Sequence, residues 1–174
     1  HPSSTQSAVI VPHPTSLDTF FIFTIDAAHN ALANGMRYSI VRMSLSGGLG
    51  AVTSAKNVLL SPSGVLCAEK ITAVKHCNNR DIWVICHGYG LTGNGNKFYA
   101  FLITPTGINT TPVISTIGTI HTGADQSGYG NARGYMKASP NGRKIALAIP
   151  YDGCPSGGNI NTWTQGSFEL FDFN

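Results

Sequence analysis

His76-Cys77 and Cys86-His87 are the residues here whose chemistry first points to a metal, since thiolate and imidazole are both zinc ligands. Their spacing argues against it. Eight residues separate the two cysteines, where zinc sites use two to four. Neighbouring residues on a strand also point to opposite faces, so Cys86 and His87 do not share a site. The expectation is a core cysteine beside a half-buried histidine, with no metal ligand set. Nucleophilic catalysis needs a Ser or Cys beside a base. The chain has no G-x-S-x-G elbow and no H-E-x-x-H helix, and Cys86 sits within an apolar run that predicts burial. Glycoside hydrolysis needs two carboxylates about 5–10 Å apart. Asp26, Asp81 and Asp152 lie near predicted strand ends and are the candidates for a ligand-binding or catalytic carboxylate, although aspartates recur at turns for backbone reasons alone.

The remaining polar segments are loops. Gly93-Asn94-Gly95-Asn96-Lys97 lacks the P-loop spacing and reads as a hairpin loop. Asp125 to Gly128 and Asp152 to Asn161 carry oxygen ligands of the kind calcium takes, without the EF-hand pattern. Loops carry such residues for their polarity alone, so the expectation is no cofactor, with calcium the one candidate. Trp83 is mid-strand and expected in the core. Trp163 lies in the polar loop Asn159 to Gly166, either as a sugar-stacking platform or protein contact, or folded back as a lid. Asn109-Thr110-Thr111 fits a glycosylation sequon, idle in a bacterial source.

These residues must be positioned by a chain of 174 residues, enough for one domain with a substantial core. Charged residues make up only 11%, against about 25% in ordinary soluble domains. No apolar run approaches the roughly 20 residues of a helical membrane span. Lys and Arg total 11 and Asp and Glu 8, and the basic residues are scattered, which argues against a nucleic-acid surface. Cys67, Cys77, Cys86 and Cys154 allow three disulfide pairings. Cys77 and Cys86 flank one hairpin in a register that does not place them opposite, and the alternative is that all four thiols are buried as small hydrophobes.

Strand signals dominate: short runs rich in Ile, Val, Phe, Tyr and Thr, punctuated by Gly, Pro and Asn. Only Ala27 to Met36 contains helix formers, and Asn30, Asn34 and Gly35 interrupt them. Phe20 to Ile25 aligns with Ile82 to His87 and with Ile145 to Pro150, at offsets of 62 and 63 residues. A strand follows each (Tyr38 to Met43, Phe98 to Ile103, Phe168 to Phe173). Another precedes each (Ala8 to Pro12, Ile71 to Cys77, Ala132 to Ser139). Weaker fourth strands are expected over Lys56 to Leu60 and Pro112 to Ile117. Ile82 to Ile85 is apolar at every position, which predicts a sheet packed on both faces. Radial repetition of four-stranded antiparallel sheets is the β-propeller plan. The pattern predicts an all-β chain of three blades over residues 1–62, 63–122 and 123–174. Solenoid repeats are shorter, and an immunoglobulin-like sandwich does not account for the repetition.

Several blocks carry a family resemblance. They include Ser3 to Pro12, Arg37-Tyr38-Ser39 with Ser44 to Gly50, Lys70 to His76, Asp81 to Ile85, Gly134 to Pro140, and Phe168 to Phe173. Together they resemble the propeller region of large secreted Bacteroidetes surface proteins. Those proteins often continue into PKD-type repeats and end in the gliding-motility-associated C-terminal domain read by type IX secretion. The resemblance implies a middle segment of a propeller, secreted or at the cell surface. It supplies no catalytic residues, and this chain departs from the pattern in its cysteines and in the Gly-rich loop Asp152 to Gly158. A chain that opens on His1 without Met and closes on a strand pattern agrees with that expectation.

The functional expectation is a non-enzymatic binding or scaffold module whose rim loops meet an extracellular polysaccharide or a surface protein. The alternatives are a polysaccharide-active enzyme with an axial site and a structural subunit of a filament or sheath. Three open blades leave two apolar sheet faces, and such faces pair or aggregate. The expected partners are therefore other blades of the same protein or a second copy.

Overall fold

The β-branched and aromatic runs fold as strands and the Gly-, Asn- and Pro-rich segments as the turns between them. The computed structural model describes residues 4–90, 93–122, 130–150 and 166–174. The first sheet contains β1 (Ala8–Pro12), β2 (Thr19–Ile25), β3 (Met36–Arg42), β4 (Ala51–Val52) and β5 (Val58–Leu59). The second contains β6 (Leu66–Lys75), β7 (Ile82–Tyr89), β8 (Lys97–Thr104), β9 (Gly107–Ile108) and β10 (Val113–Thr116). The third contains β11 (Met136–Ala138), β12 (Lys144–Ile149) and β13 (Ser167–Asp172). All pairings are antiparallel, and the first three strands of each sheet form a meander; β4 and β5 both pair with β3, and β9 and β10 both pair with β8. The all-β expectation holds, and β2, β7 and β12 are each the second strand of a sheet.

One expectation holds here and one shifts in detail. The Ala27 to Met36 segment forms one 3₁₀ turn, Ala28–Asn30, ended by left-handed Ala31 and Leu32 at φ 56° and 57°. The fourth strand of the first sheet is split into β4 and β5, both paired with β3, because Asn57 at φ 56° turns the chain between them.

Register decides which residues meet. Cys86 sits opposite Ile71 and Tyr99, and Val84 opposite Ala73 and Phe101. These residues face the first sheet and close a core with Phe21, Phe23 and Met36. Ile85 and Phe98 point the other way, onto Met136, Ile145 and Leu147 of the third sheet. The second sheet is thus apolar on both faces because it is covered on both. Phe23, Val84, Phe101 and Leu147 have no exposed surface, and each such side chain contributes about 1.5–3 kcal/mol by leaving water.

Cys67 and Cys86 are buried free thiols, with sulfurs 3.7 Å apart. Cys77 is a free thiol at the surface, so not all of the cysteines act as buried hydrophobes. Cys154 lies outside the described residues.

The first strands of the three sheets are tied at one point. Gln6 Oε1 accepts hydrogen bonds from Ile71 N at 3.2 Å and Met136 N at 2.8 Å, and its Nε2 donates to Met136 O at 3.1 Å. Thr5 N donates to Glu69 Oε2 at 2.7 Å, and Gly134 N donates to Thr5 Oγ1 at 3.1 Å. Glu69 is fully buried, and its second oxygen accepts from Ala28 N at 2.7 Å. Gly134 is required here. Its φ is +121°, and a Cβ would overlap the Ala148 carbonyl and press on Lys70 Cε at 3.0 Å.

Replacing Gln6 by Ala orphans the amides of Ile71 and Met136 together. The expected cost is about 1–3 kcal/mol, read as a lower urea midpoint at unchanged slope. Wild-type stability in Gln6→Ala would show that the three sheets do not depend on this bridge.

Candidate functional site

Two places concentrate chemistry. The first is buried. At a β-bulge between Cys67 and Ile71, β6 places two charged residues, Glu69 and Lys70, in the interior. Lys70 Nζ lies 2.6 Å from Asn131 O and 3.0 Å from His121 Nδ1. As an ammonium it donates to both. The His121 ring lies over His87 with centroids 4.0 Å apart. His87 Nδ1 donates to Gly88 O at 2.8 Å, and the ring meets Phe98 edge-on. Asn131 Nδ2 donates to Thr122 O at 2.9 Å. His87 Nε2, His121 Nε2 and Asn131 Oδ1 are buried without a hydrogen-bond partner among the described residues.

Burial governs the proton affinities of this cluster. It pulls Lys70 down to about 7, against the opposing pull of Glu169 and Glu69. It also pulls His87 down to about 3, and the Lys70 charge adds to the effect. His121 is lowered too, by burial first and then by His87 and Lys70. A lysine titrating near neutrality is the kind that forms imines. Lys70 has no exposed surface, however, so no carbonyl substrate reaches Nζ in this conformation. The cluster is a sealed polar joint between the second and third sheets.

The second place is open. The β6–β7 and β11–β12 turns border a groove of ≈ 540 Å³ at the rim of the second and third sheets. Lys75, His76 and Arg143 line it with Trp83, Asn79 and Asn141, and no Asp or Glu is among its lining residues. Trp83 is half-buried, edge-on to Phe173 at 6.5 Å and tilted against His76 at 5.7 Å. Cys77 Sγ lies 3.6 Å from His76 Nδ1, which also accepts from Asn78 N at 3.1 Å. The groove offers an aromatic wall, three amide side chains (Asn79, Asn141 and Asn174) and basic side chains to a ligand held in solvent.

The carboxylates singled out from the sequence sit elsewhere. Asp26 follows β2, and its oxygens accept from Ala27 N, Asn30 Nδ2, Asn34 N and Asn34 Nδ2 at 2.8–3.1 Å. It organises its own loop beside a shallow polar pocket shared with Arg37 and Asn57. Asp81 precedes β7 and is held by Arg80 Nε and Asn78 Nδ2, both at 2.8 Å. The hydrogen bond from Arg80, with that from Asn78 next, keeps its carboxyl below the usual range. The two aspartates therefore lie at opposite ends of corresponding strands. Asp152, Trp163 and the two calcium candidates, Asp125 to Gly128 and Asp152 to Asn161, lie outside the described residues. Among the described residues no group of three or more His, Cys, Asp or Glu side chains is placed to hold a metal. His87 is fully buried, deeper than the half-burial expected, and it faces away from Cys86 as strand alternation requires.

The sequence reading missed the Lys70 cluster. Its signal was an adjacent Glu-Lys pair inside an apolar strand, in a chain with few charges.

The fold and site define a class: stacked antiparallel meanders with a buried polar joint and a basic, aromatic rim groove. No family model, curated protein or solved structure matches this chain.

Two outcomes follow for solution measurements. Lys70 titrates at about 7 when folded, below its ordinary 10.5, so between those values the unfolded chain binds more protons and stability rises with pH. The expected slope from pH 7 to 9 is on the order of 1 kcal/mol per pH unit, and it disappears in Lys70→Met. Below pH 6.5 the depressed histidines act in the same sense, and stability falls as the pH drops toward 3. A flat urea midpoint from pH 7 to 9 in the wild type contradicts the burial of the Lys70 charge. Separately, in a Cys154→Ser background, an aromatic disulfide reagent should modify one thiol, Cys77, in the native protein and the other two only after denaturation.

Proposed function

We propose that the three sheets are consecutive blades of a β-propeller segment serving as a non-enzymatic binding module of a secreted or cell-surface protein. The observation that carries this reading is the rim groove. It sits where two neighbouring sheets meet, is open to solvent, and combines Trp83 with Lys75, His76 and Arg143 on a rigid support. The stacking of the sheets supports the propeller part, since the second sheet is packed on both faces and Thr5 and Gln6 gather the first strands of all three sheets. The resemblance to secreted Bacteroidetes surface proteins supports the location. The non-enzymatic part rests on Asp26 and Asp81 being committed to their own turns and on Lys70 being sealed.

The groove chemistry fits an acidic polysaccharide. Uronate or sulfate groups would meet Lys75 and Arg143, and a sugar face would stack on the exposed part of Trp83. Lys75 and Arg143 are both exposed, so reversing them leaves the core intact. The Lys75→Glu/Arg143→Glu double variant should bind an acidic polysaccharide at least about tenfold more weakly than the wild type in affinity electrophoresis. Wild-type binding should also weaken with salt, and the polymer should be recovered at full length. Undiminished binding by the double variant would remove the groove from the function, and shortened polymer would point to an enzyme.

A further inference from the structure

Among the described residues, the first and third sheets each present one face, largely apolar, that no other sheet covers. On the first sheet Ile10, Phe20, Ile22 and Val41 share this side by register, with Ile10 64% exposed and with Ser39, Thr24 and Arg37 toward one end of the same face. On the third sheet it carries Ala146, Ala148, Leu170 and Phe168, with Leu170 67% and Phe168 83% exposed, bordered by Lys137 and by the Lys144–Asp172 pair. Isolated exposed apolar residues are ordinary, whereas contiguous apolar faces mark interaction sites.

The two faces differ in kind, and the internal junctions show how such faces pair. The alignment of β2, β7 and β12 at offsets of 62 and 63 makes Ile22, Val84 and Leu147 equivalent, and likewise Phe23, Ile85 and Ala148. At the first junction the Phe23 face of one sheet packs on the Val84 face of the next. At the second the Ile85 face packs on the Leu147 face. Each junction joins the same two kinds of face in the same order. What remains is one of each: the Ile22 face at one end and the Ala148 face at the other.

We propose that these two free faces pair between copies of this chain, the third sheet of one copy docking on the first sheet of the next in the head-to-tail sense of the internal junctions. A second copy is the occupant because it brings the complementary face that continues an existing pattern of packing. A face meeting its own kind would break that pattern. Such a contact is heterologous, so it closes into a ring or extends as a filament according to the rotation at each step. The proposal does not depend on what the groove binds.

Sedimentation velocity of the whole chain under reducing conditions tests this across the micromolar range. The wild type should form oligomers or longer assemblies. Leu170→Lys and Ile10→Lys change exposed residues on opposite faces, and circular dichroism with thermal melting confirms that each variant folds. Each alone should sediment as a monomer. Mixed in equal amounts they should form a dimer and nothing larger, because one supplies an intact first-sheet face and the other an intact third-sheet face. A monomeric wild type overturns the proposal. So does a single variant that still self-associates, since that indicates like-with-like pairing, and so does a mixture that remains monomeric.

Discussion

The constraint on which the described structure depends is the convergence of three sheets on the short segment before β1. Thr5 and Gln6 are polar residues of an ordinary-looking loop, yet they answer backbone groups of β6 and of the segment entering β11. A strand at the inner margin of a stack has no neighbouring strand to satisfy its outward N–H groups, and a buried orphan costs about 1–3 kcal/mol. One glutamine side chain can accept from two such groups and donate to a carbonyl at once. Gln6 does this for Ile71 and Met136. The buried Glu69 side chain likewise accepts from two backbone amides, Thr5 N and Ala28 N. The polar centre thus ties the sheets at one place, while apolar packing holds the rest of their faces.

The second sheet carries the larger consequence. Among the described residues it is the one sheet with both faces covered, and its first strand hosts two fully buried ionisable side chains, Glu69 and Lys70. Glu69 is surrounded by donors. Lys70 is not matched by a buried carboxylate at hydrogen-bond distance. It has Asn131 O and His121 Nδ1, both neutral. Such an environment favours the uncharged amine, which is why burial dominates its proton affinity. Removing a charge from water costs several kcal/mol, so this joint is a poor source of stability. Its effect is on register. An apolar interface tolerates sliding, whereas Lys70 reaches its partners only when the Gly130–Ala132 turn and the segment carrying His121 and Thr122 are both seated. The left-handed Gly134 leaves room for the lysine stem at that seat.

Much of the architecture was legible because strand signals are local. Phe20 to Ile25, Ile82 to His87 and Ile145 to Pro150 stand within a residue or two of β2, β7 and β12, and the unbroken apolar run at Ile82 correctly indicated two covered faces. Alternation also settled that Cys86 and His87 face different neighbours. The sites were less legible, for two reasons. Asp26 and Asp81 looked available because a sequence does not show that Asn30, Asn34, Asn78 and Arg80 fold back onto them. The groove draws Lys75, His76 and Trp83 from one hairpin and Arg143 from another about sixty residues on, and only the stacking of two sheets brings those turns together. The Lys70 cluster was hidden for the same reason: His87, His121 and Asn131 come from three separate segments, and a bulge in β6 gives Lys70 its direction.

The stacking also places the groove where it can be held still. A binding surface on a single hairpin inherits that hairpin's motion. One shared by two hairpins is only as rigid as the junction between their sheets. Here the junction has Ile85, Phe98 and Leu147 at its centre, Trp83 and Phe173 at the groove end and the Lys70 joint deeper in. The Thr72 hydroxyl ties the sheets further, accepting from Ala138 N at 3.2 Å close to the β11–β12 turn. Trp83 belongs to both descriptions, with one edge against the core and another part of its surface lining the groove. A ligand resting on that ring therefore senses the packing of the second sheet on the third, and changes at the junction reach the groove without touching any residue that contacts the ligand. Positive charge from Lys75 and Arg143 adds attraction, but its direction in space is set by the apolar contact beneath it.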